Sequence, residues 1–443
     1  MTAPVLGRDY RLLWSAAVSS RFGDALRTPA LALLAATLTR DPRAVAAVTV
    51  AGLLPPLLFG LLGGVYADRW DRRRTMAAVD GLRAVVVAAL AVVVATGRAG
   101  VAVLVGAAFL LAAFGALFDA ASFALLPAVV PPAALPAANG RLQAGAAVAG
   151  GFLGAPLAGL LFTLSAPLPF AIDALTFALA ALLVLTLRPV PTPRSCSCRP
   201  GESGRKTRVG GHKCKIAERT GRGSVWREAG EGVRWIRGDT ILWRITVLTA
   251  GTNLAISGLM AVLVLYALDV LRLPSGGYGL FMSAAVLGGL GGALGAGRLA
   301  GRLGTVPALR TVLTAQTVAL VGFALVRHPV PAGLALAVFA AGTTVWNSLW
   351  AAYGQRHVPA GLLGRVGAAQ RMVGLLTAPV GAALAGLAGA AYGVAPVAGA
   401  VAVVFGLVTA AAWRVLRPVA PVPTADRPTT VGTAARPGPH RSR

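Results

Sequence analysis

The sequence predicts an all-α integral membrane protein, with twelve transmembrane helices in two pseudo-symmetric halves of six. Three observations predict it. The 443 residues are 56% hydrophobic and only 13% charged, with a mean hydropathy of +0.73, a composition foreign to ordinary soluble domains. The chain divides into roughly a dozen apolar runs, each near the ~18 residues that read as a spanning helix. The two halves also repeat one another weakly and in the same order.

The first half gives spans at 11–38, 44–65, 76–96, 101–125, 143–164 and 170–187. The second gives 243–269, 277–300, 306–326, 330–353, 366–391 and 395–416. The first run has no cleavable secretory pattern before it and reads as a retained helix. The links Gly97–Gly100 and Ser165–Pro169 are very short, so the helices they join are antiparallel neighbours. The halves align at a near-constant offset of roughly 225–235 residues. Leu13-Trp14 falls on Leu242-Trp243, Asp24 on Asn253, Val130-Pro131 on Val358-Pro359, and Gly154-Ala155-Pro156 on Thr377-Ala378-Pro379. Duplicated halves of this kind place a substrate site near the midplane between them.

The net charge of +26 would suit nucleic acid, but its placement excludes that partner. Arg72, Arg73 and Arg74 share one loop, Arg298, Arg302 and Arg310 another, Arg356 and Arg365 a third. The intervening links hold only Arg40, Arg43, Arg98, Arg272 and Arg327. Alternation of this kind is the orientation signal of a membrane protein, with the basic side and both termini cytoplasmic.

Domain boundaries follow: a six-helix half over 1–187, a connector over 188–240, a second half over 241–416, and a tail over 417–443. The connector holds all three cysteines (Cys196, Cys198, Cys214) and every lysine (Lys206, Lys213, Lys215). Its composition cannot support a core, so connector and tail are expected to be disordered and cytoplasmic. Trp226 to Trp235 is expected to form a short amphipathic helix on the membrane surface. Cys196, Cys198, His212 and Cys214 match no zinc module in spacing, and Gly201 to Thr207 lacks phosphate-loop spacing. Four scattered histidines form no catalytic set. No metal, no cofactor and no enzymatic activity are expected.

Charges inside spans carry more information. Arg21, Asp24 and Arg27 lie on the first span at steps of three. Asp24 lies roughly 20 Å beyond Arg11 at 1.5 Å per residue, and reads as the only acid in the middle of a span. A carboxylate so deep must face a cavity or a partner. Burial favours its neutral form and Arg21 or Arg27 its ionised form, a tension suited to a proton carrier. Asp80 and Arg83 lie at i,i+3 inside span three, and Asp119 near the end of span four, at a depth where a network with Asp68 and Arg72 is within reach. Gly288, Gly289, Gly291, Gly292, Gly295 and Gly297 form a small-residue face for close helix packing or for sliding.

Between spans two and three runs Gly64-Val65-Tyr66-Ala67-Asp68-Arg69-Trp70-Asp71-Arg72-Arg73-Arg74, with a weaker copy at Gly297 to Gly304. This loop resembles the signature loop of the major facilitator superfamily, with Asp71 where that loop usually has Gly and Gly301 replacing the acid in the copy. The resemblance implies a cytoplasmic latch of Gly64, Asp68, Arg72 and Arg73, with Asp80, Arg83 and Asp119 near it. Gly150, Gly154, Pro156 and Gly159 in span five resemble the superfamily's antiporter signature with one residue inserted, and its physical content is a bend. Pro169-Phe170-Ala171-Ile172-Asp173-Ala174-Leu175-Thr176-Phe177, Leu125-Leu126-Pro127 through Ala138-Asn139, and Arg11-Leu12-Leu13-Trp14 through Gly23-Asp24 resemble bacterial exporters related to enterobactin and macrolide efflux carriers. The resemblance implies a monomeric exporter of the bacterial plasma (inner) membrane. It would move a small amphipathic molecule, drug-like or siderophore-like, outward against protons by alternating access. Asp24, Arg21, Arg27 and Asn253 would form the coupling site. A lipid or lysolipid flippase on the same fold is the alternative, and a non-transporting sensor or assembly partner is the reading from another class.

Overall fold

The structure, a computed structural model, describes residues 7–67, 71–131, 134–188, 225–358 and 363–416. The expectations for the 189–224 connector segment, the 417–443 tail and Asp68 lie outside the described residues.

Among the described residues there are fourteen α-helices, thirteen of which build twelve spans. In the first half these are α1 (Arg8–Leu38), α2 (Pro42–Ala67), α3 (Arg72–Ala95), α4 (Val101–Val129), α5 (Leu135–Ala147) continued through a π-helical segment (Val148–Gly154) into α6 (Ala155–Leu164), and α7 (Leu168–Leu185). After α8 (Val225–Gly238), the second half has α9 (Thr240–Leu265) with a π-helical end (Tyr266–Val270), α10 (Ser275–Leu303), α11 (Thr305–Leu325), α12 (Pro329–His357), α13 (Leu363–Tyr392) and α14 (Val394–Val415). Ten described helices are long and apolar enough to cross a bilayer. The charges of α1 lower its hydropathy, and α2 is apolar over Pro42–Leu58.

Local chemistry sets several boundaries. Asp71, the departure from the signature loop, caps α3: its Oδ1 accepts from the Arg74 N–H at 3.1 Å. Asp239 does the same for α9, accepting from the Leu242 N–H at 2.9 Å. Gly304 and Gly393 alone join α10 to α11 and α13 to α14, at φ +79° and +88°, a region that favours glycine. In span five, Pro156 has no N–H to give the carbonyl of Phe152, and the turn before it widens into the π segment. Regular α-helical geometry is thus interrupted at the place where a bend was expected. The helix also starts earlier than the sequence suggested, at Leu135.

The halves repeat in their packing. α2 lies on α4 as α10 lies on α12, α3 on α7 as α11 on α14, and α1 on the α5–α6 span as α9 on α13. Tyr10 and Trp14 of α1 donate to the Ala138 and Arg141 carbonyls of α5, both at 2.9 Å. Only part of the expected glycine face of α10 packs within its half: a Cβ on Gly288 would lie 1.9 Å from the Ala337 oxygen of α12 and one on Gly292 2.3 Å from that of Ala341, whereas nothing lies within 4 Å of a Cβ on Gly291, Gly295 or Gly297. α8 tucks Ile236 against Leu242, Val358 and Val366.

The named contacts between halves gather at one face, that of the 39–41, 165–167, 271–274 and 393 links. There Gly159 of α6 meets Gly276 and Gly279 of α10, and Gly386 and Gly389 of α13 meet Pro42 and Ala46 of α2. Arg40 pairs with Asp269 across the same seam at 2.7 Å. This closed seam and the basic face opposite it frame the functional site.

Candidate functional site: a buried ion network beside a cavity between the halves

Three helices of the first half bring five charges together. The α1 backbone can approach α7 because residue 23 is glycine: a Cβ there would lie 2.1 Å from Asp173 Oδ1 and 2.2 Å from Thr176 Oγ1. At the next residue, Asp24 Oδ1 accepts from Arg27 Nη2 on its own helix and from Arg83 Nη2 of α3, both at 2.6 Å. Arg27 Nη1 also donates to Asp173 Oδ2 at 3.1 Å. Arg83 Nη1 donates to Asp80 Oδ1 at 3.3 Å and to Ser20 Oγ at 3.1 Å. The Phe177 ring lies against both cations, 4.0 Å from the Arg83 guanidinium carbon and 5.7 Å from that of Arg27. Buried charge is tolerated only when paired and hydrogen-bonded, and the chain Asp80–Arg83–Asp24–Arg27–Asp173 meets that condition. It does so incompletely: Asp80 Oδ2 and Asp173 Oδ1 are buried with no protein partner.

The expected constellation is thus rearranged. Asp24 is not alone in mid-span, because Asp173 of α7 and Asp80 of α3 are both 0% exposed and stand in the same network. Arg21 is not bonded to Asp24; it donates to Asp119 of α4, an exposed pair. Asn253 donates to the Thr249 carbonyl of its own helix at 3.0 Å and lies next to Gly374 of α13. Of the expected latch set, Asp68 and the Arg72 side chain lie outside what is described, and the others are placed as follows. Asp80 and Arg83 belong to the network, Asp119 to Arg21, and Arg73 donates to the Leu187 carbonyl after α7 at 2.6 Å. Gly64 lies within α2 and Arg72 opens α3. Of the bend residues, Gly154 packs on Ala25 of α1, where a Cβ would lie 2.3 Å from its Cβ, and Gly150 approaches the same residue. Pro156 opens α6, and Gly159 faces the other half.

Sequence reading missed Asp173 as a site residue, although an acid six residues into an apolar span is itself a signal. Among the described residues, the second half carries no matching buried charge. The buried charged residues among those described are Arg27, Asp80, Arg83 and Asp173, all in the first half. In the second half, Gln316 of α11 is the buried polar anchor, donating to the Phe339 carbonyl and Thr343 Oγ1 of α12 at 3.1 and 2.9 Å.

Between the halves lies a cavity of about 410 Å³. Arg27, Thr28 and Thr49 line it from the first half, and Met260, Tyr278 and Met282 from the second. Its wall is mostly apolar, and Arg27 is the one charge among its lining residues. The ion network therefore reaches the cavity through one guanidinium.

A pseudo-repeated twelve-span bundle with a cavity at the seam narrows the family, and sequence comparison decides it. The sequence profile of the Major Facilitator Superfamily matches residues 13–382. The chain belongs to the Major Facilitator Superfamily. It is a multi-pass membrane protein with the facilitator fold. Among solved structures, it is similar to a bacterial homologue of the human lysosomal transporter Spinster in its inward-facing, unoccupied form. There the TM-score is 0.72 at 14% identity, over 94% of this chain and 98% of that one. It is also similar to a bacterial homologue of the iron transporter ferroportin in its inward-facing state, with TM-score 0.68 at 17% identity over 93% and 99%. The nucleoside transporter NupG gives TM-score 0.65 at 16% identity over 92% and 98%. A comparison with curated proteins returns no match.

Proposed function

We propose that this facilitator is a secondary active transporter that exports a small amphipathic molecule, drug-like or siderophore-like, from a bacterial cell by proton antiport. The observation that carries the reading is the joining of Arg27, at the wall of the inter-half cavity, to four further charges on α1, α3 and α7. An apolar wall with methionines, one tyrosine and one guanidinium suits a flexible amphipathic cargo. Titratable groups wired to that wall give cargo occupancy a way to influence proton occupancy.

With the basic face in the cytoplasm, the closed seam faces outward, and the two halves would rock about it. The glycine contacts of Gly159, Gly276 and Gly279 are then the outer gate. Asp68, Arg72 and Arg73 form the inner latch when the transporter reverses. The halves 1–187 and 241–416 work as two bodies joined by a cytoplasmic connector, and the protein acts as a monomer in the plasma membrane.

A second reading, a lipid or lysolipid flippase, has one observation in its favour. A lateral apolar groove of about 630 Å³ runs between α2, α4 and α13 with Arg43 as its charged residue. Proteoliposomes separate the two readings. A fluorescent amphipathic dye should leave the lumen faster when an imposed pH gradient is present, and a fluorescent lysolipid should stay in its leaflet. Dye retention under every gradient, with lysolipid exchange, would replace the exporter by the flippase.

A further inference from the structure

The network contains an odd number of charges. Asp24, Asp80 and Asp173 are three carboxylates, and Arg27 and Arg83 are two guanidiniums. Among the described residues of the elements packed on α7, the one further charge within electrostatic reach is Arg21, whose field extends to Asp24 and Asp80 but which is paired with Asp119, so that pair adds no net charge. From α3, only Asp80 and Arg83 enter. α6 contributes no ionisable residue at all. With all five ionised, one negative charge is left unbalanced in a place with little access to water, which is the costly condition for buried ions. One bound proton removes it.

Where that proton sits can be read from the geometry, and this rests on the proton-coupled reading above. Asp24 is the poorest host, because one oxygen already accepts two short bonds from two arginines, each of which favours the carboxylate. Asp80 and Asp173 each have one contacted oxygen and one buried, unpartnered oxygen. They differ in what they touch. Asp80 is held by Arg83, which lies inside the half and away from the cavity. Asp173 is held by Arg27, which lines the cavity. Beside the free Asp173 Oδ1 stands Thr176 Oγ1, both crowding the same point next to Gly23. That hydroxyl donates to the Asp173 carbonyl at 2.7 Å and keeps its lone pairs free to accept.

We propose that Asp173 is the residue that carries the exchangeable proton, with Asp24 as the fixed anion that holds both arginines in place. The step is a simple transfer. A hydronium ion gives its proton to Asp173 Oδ1, an O–H bond forms, and water leaves. Neutral Asp173 releases its charge hold on Arg27, which stays bound to Asp24 and is freer to meet cargo at the cavity wall. Loss of the proton restores the Arg27–Asp173 pair. Asp24 is thereby a positioning residue, and the sixth span, not the first, carries the proton.

Infrared titration of the full-length protein in lipid nanodiscs tests this without any cargo or gradient, so it can fail while the transport reading stands, and the reverse. The wild type should show the C=O stretch of a neutral carboxylic acid at neutral pH, where exposed acids are ionised. The band should vanish in Asp173→Asn, and also in Asp24→Asn, where two acids then balance two bases. It should change frequency in Asp173→Glu and not in Asp80→Glu. A wild type with no such band, a band that survives Asp173→Asn, or a band moved by Asp80→Glu instead of Asp173→Glu would each overturn the assignment. The wild-type and Asp173→Asn spectra decide the question even if a glutamate variant does not fold.

Discussion

Gly159→Val tests whether the glycine contact between α6 and α10 is a gate. A Cβ at Gly159 would lie 2.8 Å from the Gly279 nitrogen and 3.0 Å from the Gly276 oxygen. Both are backbone atoms, so no rotamer change relieves the clash and the two helices must separate. Overpacking of this kind costs ~1–3 kcal/mol. Because the contact joins the halves and not the helices of one half, the cost falls on the closed seam and spares the fold of either half. A bias of ~1–3 kcal/mol shifts a two-state equilibrium by about 5- to 150-fold. Spin labels at Ser165 and Tyr392, one on each half at the closed face, would report the shift in a protein whose Cys196, Cys198 and Cys214 are replaced by serine. The wild type should give mainly a short distance and Gly159→Val mainly a longer one. Gly291→Ala is the control, since nothing lies within 4 Å of a Cβ there. An unchanged distance distribution in Gly159→Val, or equal opening in the control, would refute the gate.

Other perturbations follow from the same geometry. Arg83→Gln removes a cation bonded to Asp24, Asp80 and Ser20, and should cost ~3–5 kcal/mol as a broken buried pair, whereas Arg21→Gln at the exposed Asp119 pair should cost at most ~1 kcal/mol; thermal unfolding in detergent should rank them in that order, and equal melting would contradict the burial argument. Asp24→Asn should abolish pH-gradient-driven export and keep cargo binding, measured by flux and by ligand-dependent thermal shift; unimpaired driven export would remove Asp24 from coupling. Asp68→Asn should reduce transport and leave membrane insertion intact, and full activity would leave that loop with topology alone. Deleting Ser195–Arg222 should preserve folding and flux, so a variant that no longer folds, or a purified protein holding one zinc per chain, would end the connector reading.

The spans were legible because apolar run length is a local property. The irregular turn between α5 and α6 was legible because Pro156 acts on its own helix; the cap that Asp71 gives α3 is equally local but was not anticipated. Which charges meet was not legible. Arg21 and Arg27 sit three residues to either side of Asp24, so spacing along α1 treats them alike. Only the packing of α3, α4 and α7 around α1 sends Arg21 to Asp119 and brings Arg83 to Asp24. Asp173 lay in a stretch read for its family resemblance, and its isolation within an apolar helix was the physical signal that went unused. The role of Gly159 needed a partner helix from the other half, which no pattern within span five supplies. Asp80 and Arg83 looked close to the signature loop in depth, but their side chains turn inward along α3 and join the network instead.

The central claim is that cargo and proton movements are joined through Arg27 at the cavity wall. The most direct measurement loads proteoliposomes with a pH-sensitive dye, imposes a cargo gradient with no pH gradient, and follows lumenal pH. Cargo flow should change lumenal pH in the wild type, in the sense of proton movement opposite to cargo, and Arg27→Gln should abolish the change. Cargo flow with constant lumenal pH in the wild type, or an undiminished pH change in Arg27→Gln, would contradict it.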